Sequence, residues 1–313
     1  MTARDPLLLA VDGGGTRCSA RLATISGNSL GEAVAGPANL RRGVNRSFAV
    51  VVEVASACLR QAALPETDVG RIIACLALAG ASEPMYLAAA KAHKHPFRKA
   101  IVTTDAHAAY IGAHGQADGG IIIAGTGTVG WATVKGRIYR VGGWGPPLSD
   151  EGSGAWAGGE AMRRVLWAHD GRIAWTPMLR ALFANFDCDP HAIVNWAATA
   201  SPGDFGALTP QLVDYAAQGD AASIELLQQS AAHIDVLAAR LIAVGADRLA
   251  LVGGFAPSLR TWLSPATTDH LVEPAGDALA GALALARDAT QAPVRTSRRS
   301  ALEALPAGQS NRR

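Results

Sequence analysis

Lysine and cysteine are scarce in this 313-residue chain, and each scarcity closes off a class of function. The lysines are Lys91, Lys94, Lys99 and Lys135, and none follows a glycine. The G-K-[ST] core of a P-loop is therefore excluded, so any phosphoryl transfer has to rely on Mg2+, backbone amides and threonine hydroxyls. The cysteines, Cys18, Cys58, Cys75 and Cys188, form no C-x-x-C pair, which argues against a disulfide framework and a thiolate zinc site. Cys58 and Cys75 stand among apolar residues and read as buried, inert thiols. Neither sign of charge is in excess. Lys+Arg 28 against Asp+Glu 26 leaves +2, too balanced for a nucleic-acid partner to be expected. No apolar run approaches the ~20 residues of a membrane helix, and no small-residue cleavage site follows the short apolar run in Met1 to Ala10. The expectation is a cytoplasmic globular protein with neither a membrane nor a nucleic-acid partner.

Apolar residues make up 49% of the chain, ample for a core, and at ~100–200 residues per domain the length suggests two domains. Leu7 to Val11 is a short apolar run that stops at Asp12-Gly13-Gly14-Gly15-Thr16, and Cys18 to Ala23 alternates as a second strand. Helical spacing follows over 46–61, carried by Phe48, Val51, Val52, Ala55 and Leu59. A strand is expected over 71–79, a helix over 85–93, a strand over 99–103 and a helix over 106–113. The opening pattern then recurs: a buried strand over 120–124, the turn Gly125-Thr126-Gly127-Thr128, and β-prone stretches over 129–134 and 137–141. Residues 142–154 form a loop dense in glycine and proline. Helices are expected over 156–166, 178–186, 221–244 and 277–287, and a last strand over 248–252 closes at Gly253-Gly254.

The two copies of strand, glycine-threonine turn and strand are an internal repeat and suggest two similar domains facing each other. They would span residues 1–115 and 116–276, with the helix near 277–287 returning to the first and a disordered basic tail over 288–313.

Asp12-Gly13-Gly14-Gly15-Thr16 places a carboxylate at a strand end, then three residues without side chains, then a hydroxyl. Such glycines let backbone N–H groups approach an anion, and a carboxylate beside a phosphate calls for a cation between them, so Asp12 implies Mg2+. An ordinary hairpin turn is the bland alternative. Gly125-Thr126-Gly127-Thr128-Val129-Gly130 matches G-x-G-x-x-G formally, but β-prone residues follow where a dinucleotide site needs a helix. A second phosphate-holding hairpin facing the first fits better.

Asp105 stands at a strand end and a helix start, either as an N-cap or as a general base for an attacking hydroxyl. The 142–154 loop carries Trp144, Asp150 and Glu151, suited to a sugar, or else an acidic cap for the next helix. Gly253-Gly254 allows a flat adenine to slide against the backbone, or makes a tight turn. The histidines, among them His93, His95, His107 and His114, show no metal-ligand spacing and suit surface or helix-face positions.

In order along the chain, Asp12-Gly-Gly-Gly-Thr16, Gly125-Thr-Gly-Thr128, Gly143-Trp-Gly-Pro146, Asp150-Glu-Gly-Ser-Gly154 and Val252-Gly-Gly254 resemble the BadF/BadG/BcrA/BcrD ATPase family. Within it the chain is similar to the branch of N-acetylglucosamine kinases and bacterial glucosamine kinases, with further likeness in Pro37-Ala-Asn-Leu40, Thr104-Asp-Ala106 and Thr261-Trp-Leu-Ser-Pro265. The likeness spans residues 7 to 287.

It implies an α/β, two-domain actin/hexokinase/Hsp70-like (ribonuclease H-like) fold, with mixed sheets flanked by helices and ATP in the interdomain cleft. On that resemblance Gly13, Gly14, Gly15 and Thr16 form the first ATP phosphate loop, Gly125, Thr126, Gly127 and Thr128 the second, and Gly253 and Gly254 the adenosine turn. Asp12 serves Mg2+ and Asp105 is the catalytic base. Asn39, Asp150 and the Trp144-Gly145 loop contact the amino sugar. The implied activity is ATP-dependent phosphorylation of the 6-hydroxyl of glucosamine or N-acetylglucosamine, and a homodimer is plausible from the family. An ATPase serving a protein partner, or a non-catalytic sugar or ATP sensor, are the competing readings. No cysteine pair matches the iron–sulfur site of the activator ATPases.

Overall fold

In the computed structural model, which describes residues 5–291, three strands come first: Leu7–Gly13 (β1), Cys18–Thr24 (β2) and Ser29–Ala35 (β3). Helix Val44–Gln61 (α1), strand Ile72–Leu78 (β4), helix Pro84–Ala92 (α2) and strand Lys99–Thr103 (β5) follow. The sheet runs β3-β2-β1-β4-β5, with β1 antiparallel to β2 and parallel to β4. β1 and β4 are continuous apolar runs because both of their faces are covered. One face takes α1 through Phe48, Val51 and Leu59, each contributing about 1.5–3 kcal/mol by burial.

Helix Asp105–His114 (α3) leads into Gly119–Ala124 (β6), Thr128–Val134 (β7) and Arg137–Gly142 (β8). Six helices follow: Gly154–His169 (α4), Pro177–Ala184 (α5), Pro190–Ala197 (α6), Pro202–Gly206 (α7), Thr209–Ala217 (α8) and Ala221–Ala243 (α9). Strand Leu249–Val252 (β9) then completes a second sheet, β8-β7-β6-β9. That order repeats β3-β2-β1-β4: an antiparallel meander whose first strand takes a parallel neighbour on its other side. The sequence repeat is thus a repeat of topology. Short turns Ala256–Leu259 (α10) and Pro265–Thr268 (α11) precede the last helix, Ala278–Gln291 (α12).

Helix α3 joins the halves. Ala108 packs with Leu8, Ala10 and Leu283 against the first sheet, while Ala106, Ala109 and Tyr110 pack with Ile121 and Trp131 of the second. The N-terminus of α3, carrying Asp105, is therefore held at the junction of both sheets. Helix α12 returns to the first sheet through Leu279, Ala282 and Ala286. Arg21 of β2 grips Asp277 at its start with hydrogen bonds of 3.3 and 3.1 Å.

Three features differ from the sequence reading. Strand β3 was not expected, because Gly31 interrupts its pattern. A Cβ there would stand 2.7 Å from the Cys58 carbonyl, so the glycine lets α1 lie close. Helices α6, α7 and α8 are too short to show a period. Each has proline in its first turn, where no intrahelical N–H bond is lost. The helix expected to stop at Arg287 runs to Gln291, so 288–291 belong to α12 rather than to a tail. Lys99 Nζ donates to the Ala289 carbonyl at 2.8 Å and secures that last turn. The rest of the expected tail, 292–313, lies outside the described residues. Cys58 and Cys75 are buried, and burial pushes their thiols up to about 11 and about 12. His114 is buried too, its Nε2 2.8 Å from the Gly120 carbonyl.

Candidate active site

The β1–β2 and β6–β7 turns occupy equivalent places in the two sheets. In the first, Gly14 N–H donates to the Arg17 carbonyl at 2.9 Å, and the Gly13 carbonyl accepts from Ala79 N–H at 2.8 Å. In the second, Gly125 N–H donates to the Gly127 carbonyl at 3.0 Å. The Gly125 and Thr126 carbonyls accept from Gly154 and Ala155 N–H at 2.8 and 3.2 Å, so the opening turn of α4 spends its free amides on holding this hairpin. The two tips meet, with the Thr16 and Thr126 hydroxyl oxygens 3.0 Å apart. Convergent hydroxyls and glycine backbones are suited to an anion with several charged oxygens. Gly253 has φ +109° and sits against the end of β6, where a Cβ would be 2.7 Å from the Ala124 carbonyl carbon. A Cβ on Gly125 would be 4.0 Å from Gly254 N, so the glycine pair borders the second hairpin.

Thr128 departs from its expected place. It is the first residue of β7, and the pleat points its side chain to the face shared with Gly130 and Ala132, towards α9. Its residue is 3% exposed and its hydroxyl is buried without a hydrogen-bond partner. Thr128 contributes its backbone N–H, which helps hold the Asp150 carboxyl down against burial. The hydroxyl facing the first hairpin belongs to Thr126.

Asp12 is the last but one residue of β1, and its carboxyl is pushed up to about 6, first by burial and then by the charge of Asp105, with Arg17 opposing. Asp105 is not the cap of α3. Thr104 is, its hydroxyl accepting from His107 N–H at 3.0 Å, which frees the Asp105 carboxylate for the cleft. Its Oδ1 accepts from Ala106 N–H at 2.9 Å. Burial raises the Asp105 carboxyl, against the pull of that N–H and of the Arg140 charge. A raised carboxyl is better matched to accepting a proton near neutral pH. Among the described residues no group of three or more His, Cys, Asp and Glu could hold a metal. An ion at Asp12 would therefore take its other ligands from phosphate and water, as Mg2+ commonly does. Two carboxylates in mutual repulsion there fit such an ion.

Trp144 is 68% exposed, with the Arg140 guanidinium 4.6 Å from its ring centre. Asp150 takes a left-handed backbone (φ +71°), and its Oδ1 accepts from Gly145 N–H at 2.9 Å. Burial raises the Asp150 carboxyl, while the N–H groups of Gly145 and Thr128 oppose. Asn39 spends its Oδ1 on Arg41 N–H at 2.9 Å. Its Nδ2 faces the first hairpin, 4.0 Å from where a Gly15 Cβ would lie.

Residues that no motif announced complete the site. Arg41 donates from Nη2 to the Trp144 carbonyl at 3.1 Å and from Nε to Glu83. α7 lies over the threonine pair: a Cβ on Gly203 would be 3.2 Å from Thr16 Oγ1, and one on Gly206 3.7 Å from Thr126 Oγ1. Single residues without a repeated spacing leave no signal in one sequence.

The model of the BadF/BadG/BcrA/BcrD ATPase family matches residues 9–286. The chain belongs to that family. Among its relatives, glucosamine kinase GspK of Vibrio cholerae is 39% identical over 278 residues, 89% of this chain and 95% of the relative. N-acetyl-D-glucosamine kinase of Dictyostelium discoideum is 25% identical over 261 residues, 77% of this chain and 81% of the relative. The crystal structure of a Chromobacterium violaceum protein, described provisionally as an N-acetylglucosamine kinase, superposes with a TM-score of 0.84 at 33% identity, covering 90% of this chain and 99% of that one. The BadF-family chain has the actin/hexokinase-like fold, two mixed sheets flanked by helices.

Proposed function

We propose that this BadF-family protein is an ATP-dependent amino-sugar kinase that phosphorylates the 6-hydroxyl of glucosamine or N-acetylglucosamine in the cytoplasm, with Mg2+. The observation that carries the reading is the meeting of Thr16 and Thr126 at 3.0 Å, with Asp12 in the strand that leads to Thr16 and close enough to Asp105 for the two charges to repel. The names of the relatives support the acceptor class.

In this reading Gly13, Gly14, Gly15 and Thr16 hold the triphosphate from one side, and Gly125, Thr126 and Gly127 from the other. Gly253 and Gly254 give the adenosine a flat wall. Hydroxyls 3.0 Å apart leave no room for a phosphoryl group between them, so the hairpins part when nucleotide enters and close again on it. Asn39, Trp144, Gly145 and Asp150 hold the sugar, with the aromatic face of Trp144 on a pyranose face. Asp105 takes the proton from the sugar hydroxyl as its oxygen attacks the γ-phosphorus and ADP departs. The fixed donors of the two hairpins stabilise the charge on the phosphoryl oxygens without reorganising. Asp12, with phosphate oxygens, would hold a Mg2+ ion, which would supply neutralisation of that charge when bound. Thr128 acts only through its backbone, by orienting Asp150.

A panel of acceptors tests the reading. Purified protein with ATP and Mg2+ is given glucosamine, N-acetylglucosamine, N-acetylmannosamine and glucose, and ADP release is followed. Turnover should be fastest with one of the first two. Equal rates with and without every sugar would leave an ATPase serving a protein partner.

A further inference from the structure

Arg41 makes a contact between the two halves separate from the threonine pair, and the phosphoryl-transfer chemistry does not use it. Its backbone is held rigidly. Leu40 is fully buried and donates to the Ala79 carbonyl at 2.9 Å, and Arg41 N–H is capped by Asn39. Glu83, the residue just before α2, takes the Arg41 Nε–H and aims the guanidinium across the cleft. There Nη2 donates to the Trp144 carbonyl at 3.1 Å. Gly145, with φ +92°, is the next residue, and a Cβ on it would run into Arg41 Nη1. The guanidinium therefore occupies the place where any side chain at 145 would stand.

The Trp144 carbonyl and the Gly145 N–H belong to one peptide group. Arg41 of the first half holds its oxygen, and Asp150 of the second half holds its N–H at 2.9 Å. One peptide of the sugar loop is thus gripped from both sides of the cleft. The Arg41 and Glu83 side chains are 40% and 38% exposed, and an ion pair so exposed adds little to stability. Its consequence falls instead on the balance between open and closed forms, because the bond to Trp144 exists only when the halves are together.

We infer that Arg41, aimed by Glu83, is a positioning residue that latches the Trp144–Gly145 loop to the Asn39 segment and so couples acceptor binding to closure. This rests on the amino-sugar kinase reading. Without the latch the acceptor loop drifts from Asn39, the sugar binds weakly, and water reaches the γ-phosphate in its place. ATP binding is spared, since the phosphate hairpins meet through Thr16 and Thr126 and not through Arg41.

The test compares the full-length protein with Arg41→Ala, Arg41→Lys, Glu83→Gln and the Arg41→Ala/Glu83→Gln double variant. Arg41→Ala should raise KM for the better amino sugar about tenfold or more, as expected for losing a charge-assisted hydrogen bond, while KM for ATP stays within about twofold. ADP released per sugar phosphate should climb above one. Glu83→Gln should move both quantities the same way but less, Arg41→Lys should recover part of the loss, and the double variant should be no worse than Arg41→Ala. Unchanged sugar KM and unchanged coupling would overturn the latch, as would a fall in kcat alone. If Arg41→Ala does not fold, Glu83→Gln decides. If the unaltered protein phosphorylates no amino sugar, the kinase reading fails by itself. The latch is then judged by hydrogen exchange of the Gly143, Trp144 and Gly145 amides, which should be about tenfold faster in Arg41→Ala. Equal exchange would refute it.

Discussion

Replacing Asp105 by Asn removes the proton acceptor and little else. The Asn side-chain carbonyl can still accept from Ala106 N–H, now 2.9 Å from Asp105 Oδ1, and Thr104 still caps α3. Substrate affinities should therefore change little, and the loss should appear in kcat. A positioned general base is worth about 10²- to 10⁴-fold, or about 2.7–5.4 kcal/mol at 1.36 kcal/mol per decade.

Stability should move the other way. Burial raises the Asp105 carboxyl above its unfolded value, so the ionised form is penalised in the folded state once the pH exceeds the unfolded pKa. Asn removes that penalty, and the variant should melt at the same temperature as the parent or higher at pH 7. For the unaltered protein, kcat should fall as the pH drops, with a midpoint above the usual aspartate range. Coupled ADP release at saturating ATP and sugar, with thermal melts from pH 5 to 8, measures all three. An Asn variant that keeps kcat within about threefold and melts normally would refute Asp105 as the base.

Two further substitutions probe the orientation of the second hairpin and the scaffold behind it. Thr128→Val should leave turnover nearly intact and stability equal or better, because it deletes a buried hydroxyl without a partner, whereas Thr126→Val should cut kcat/KM for ATP about tenfold or more. The reverse order in the same ADP assay would mean that the wrong threonine has been placed in the cleft. Asp220→Ala should cost about 2–4 kcal/mol in urea unfolding, since Asp220 caps α9 by accepting from Ser223 N–H at 2.9 Å and also holds Met178 N–H at 3.0 Å. Although burial acts to raise the Asp220 carboxyl, those N–H groups leave it lowered. Its contribution should be present above the unfolded aspartate value and vanish as the pH falls through the lower folded value, so parent and variant should converge in acid.

Both hairpins were legible because a strand that ends in glycine and threonine, twice, has few other uses. Asp105 was legible as a strand-to-helix junction, although which residue caps α3 was not: Thr104 and Asp105 are both good caps, and only the backbone separates them. Thr128 was read as a second cleft hydroxyl because the two threonines of a Thr-Gly-Thr motif look alike in sequence, whereas Thr126 lies in the turn before β7 and Thr128 is the first residue of the strand, facing α9. Strand β3 was hidden by a glycine that serves helix packing. Arg41, Glu83 and α7 were invisible for a different reason. Their roles come from contacts between segments far apart in the chain, such as Arg41 with Trp144, and no local pattern encodes them.

The most direct test of the central claim looks at the product rather than at ADP. The protein is incubated with Mg2+, ATP and glucosamine or N-acetylglucosamine, and the phosphorus is followed by 31P NMR with correlation to the sugar protons. The account predicts one phosphomonoester coupled to the C6 protons, formed in step with ADP. Phosphate on the anomeric carbon, or inorganic phosphate alone, would contradict it.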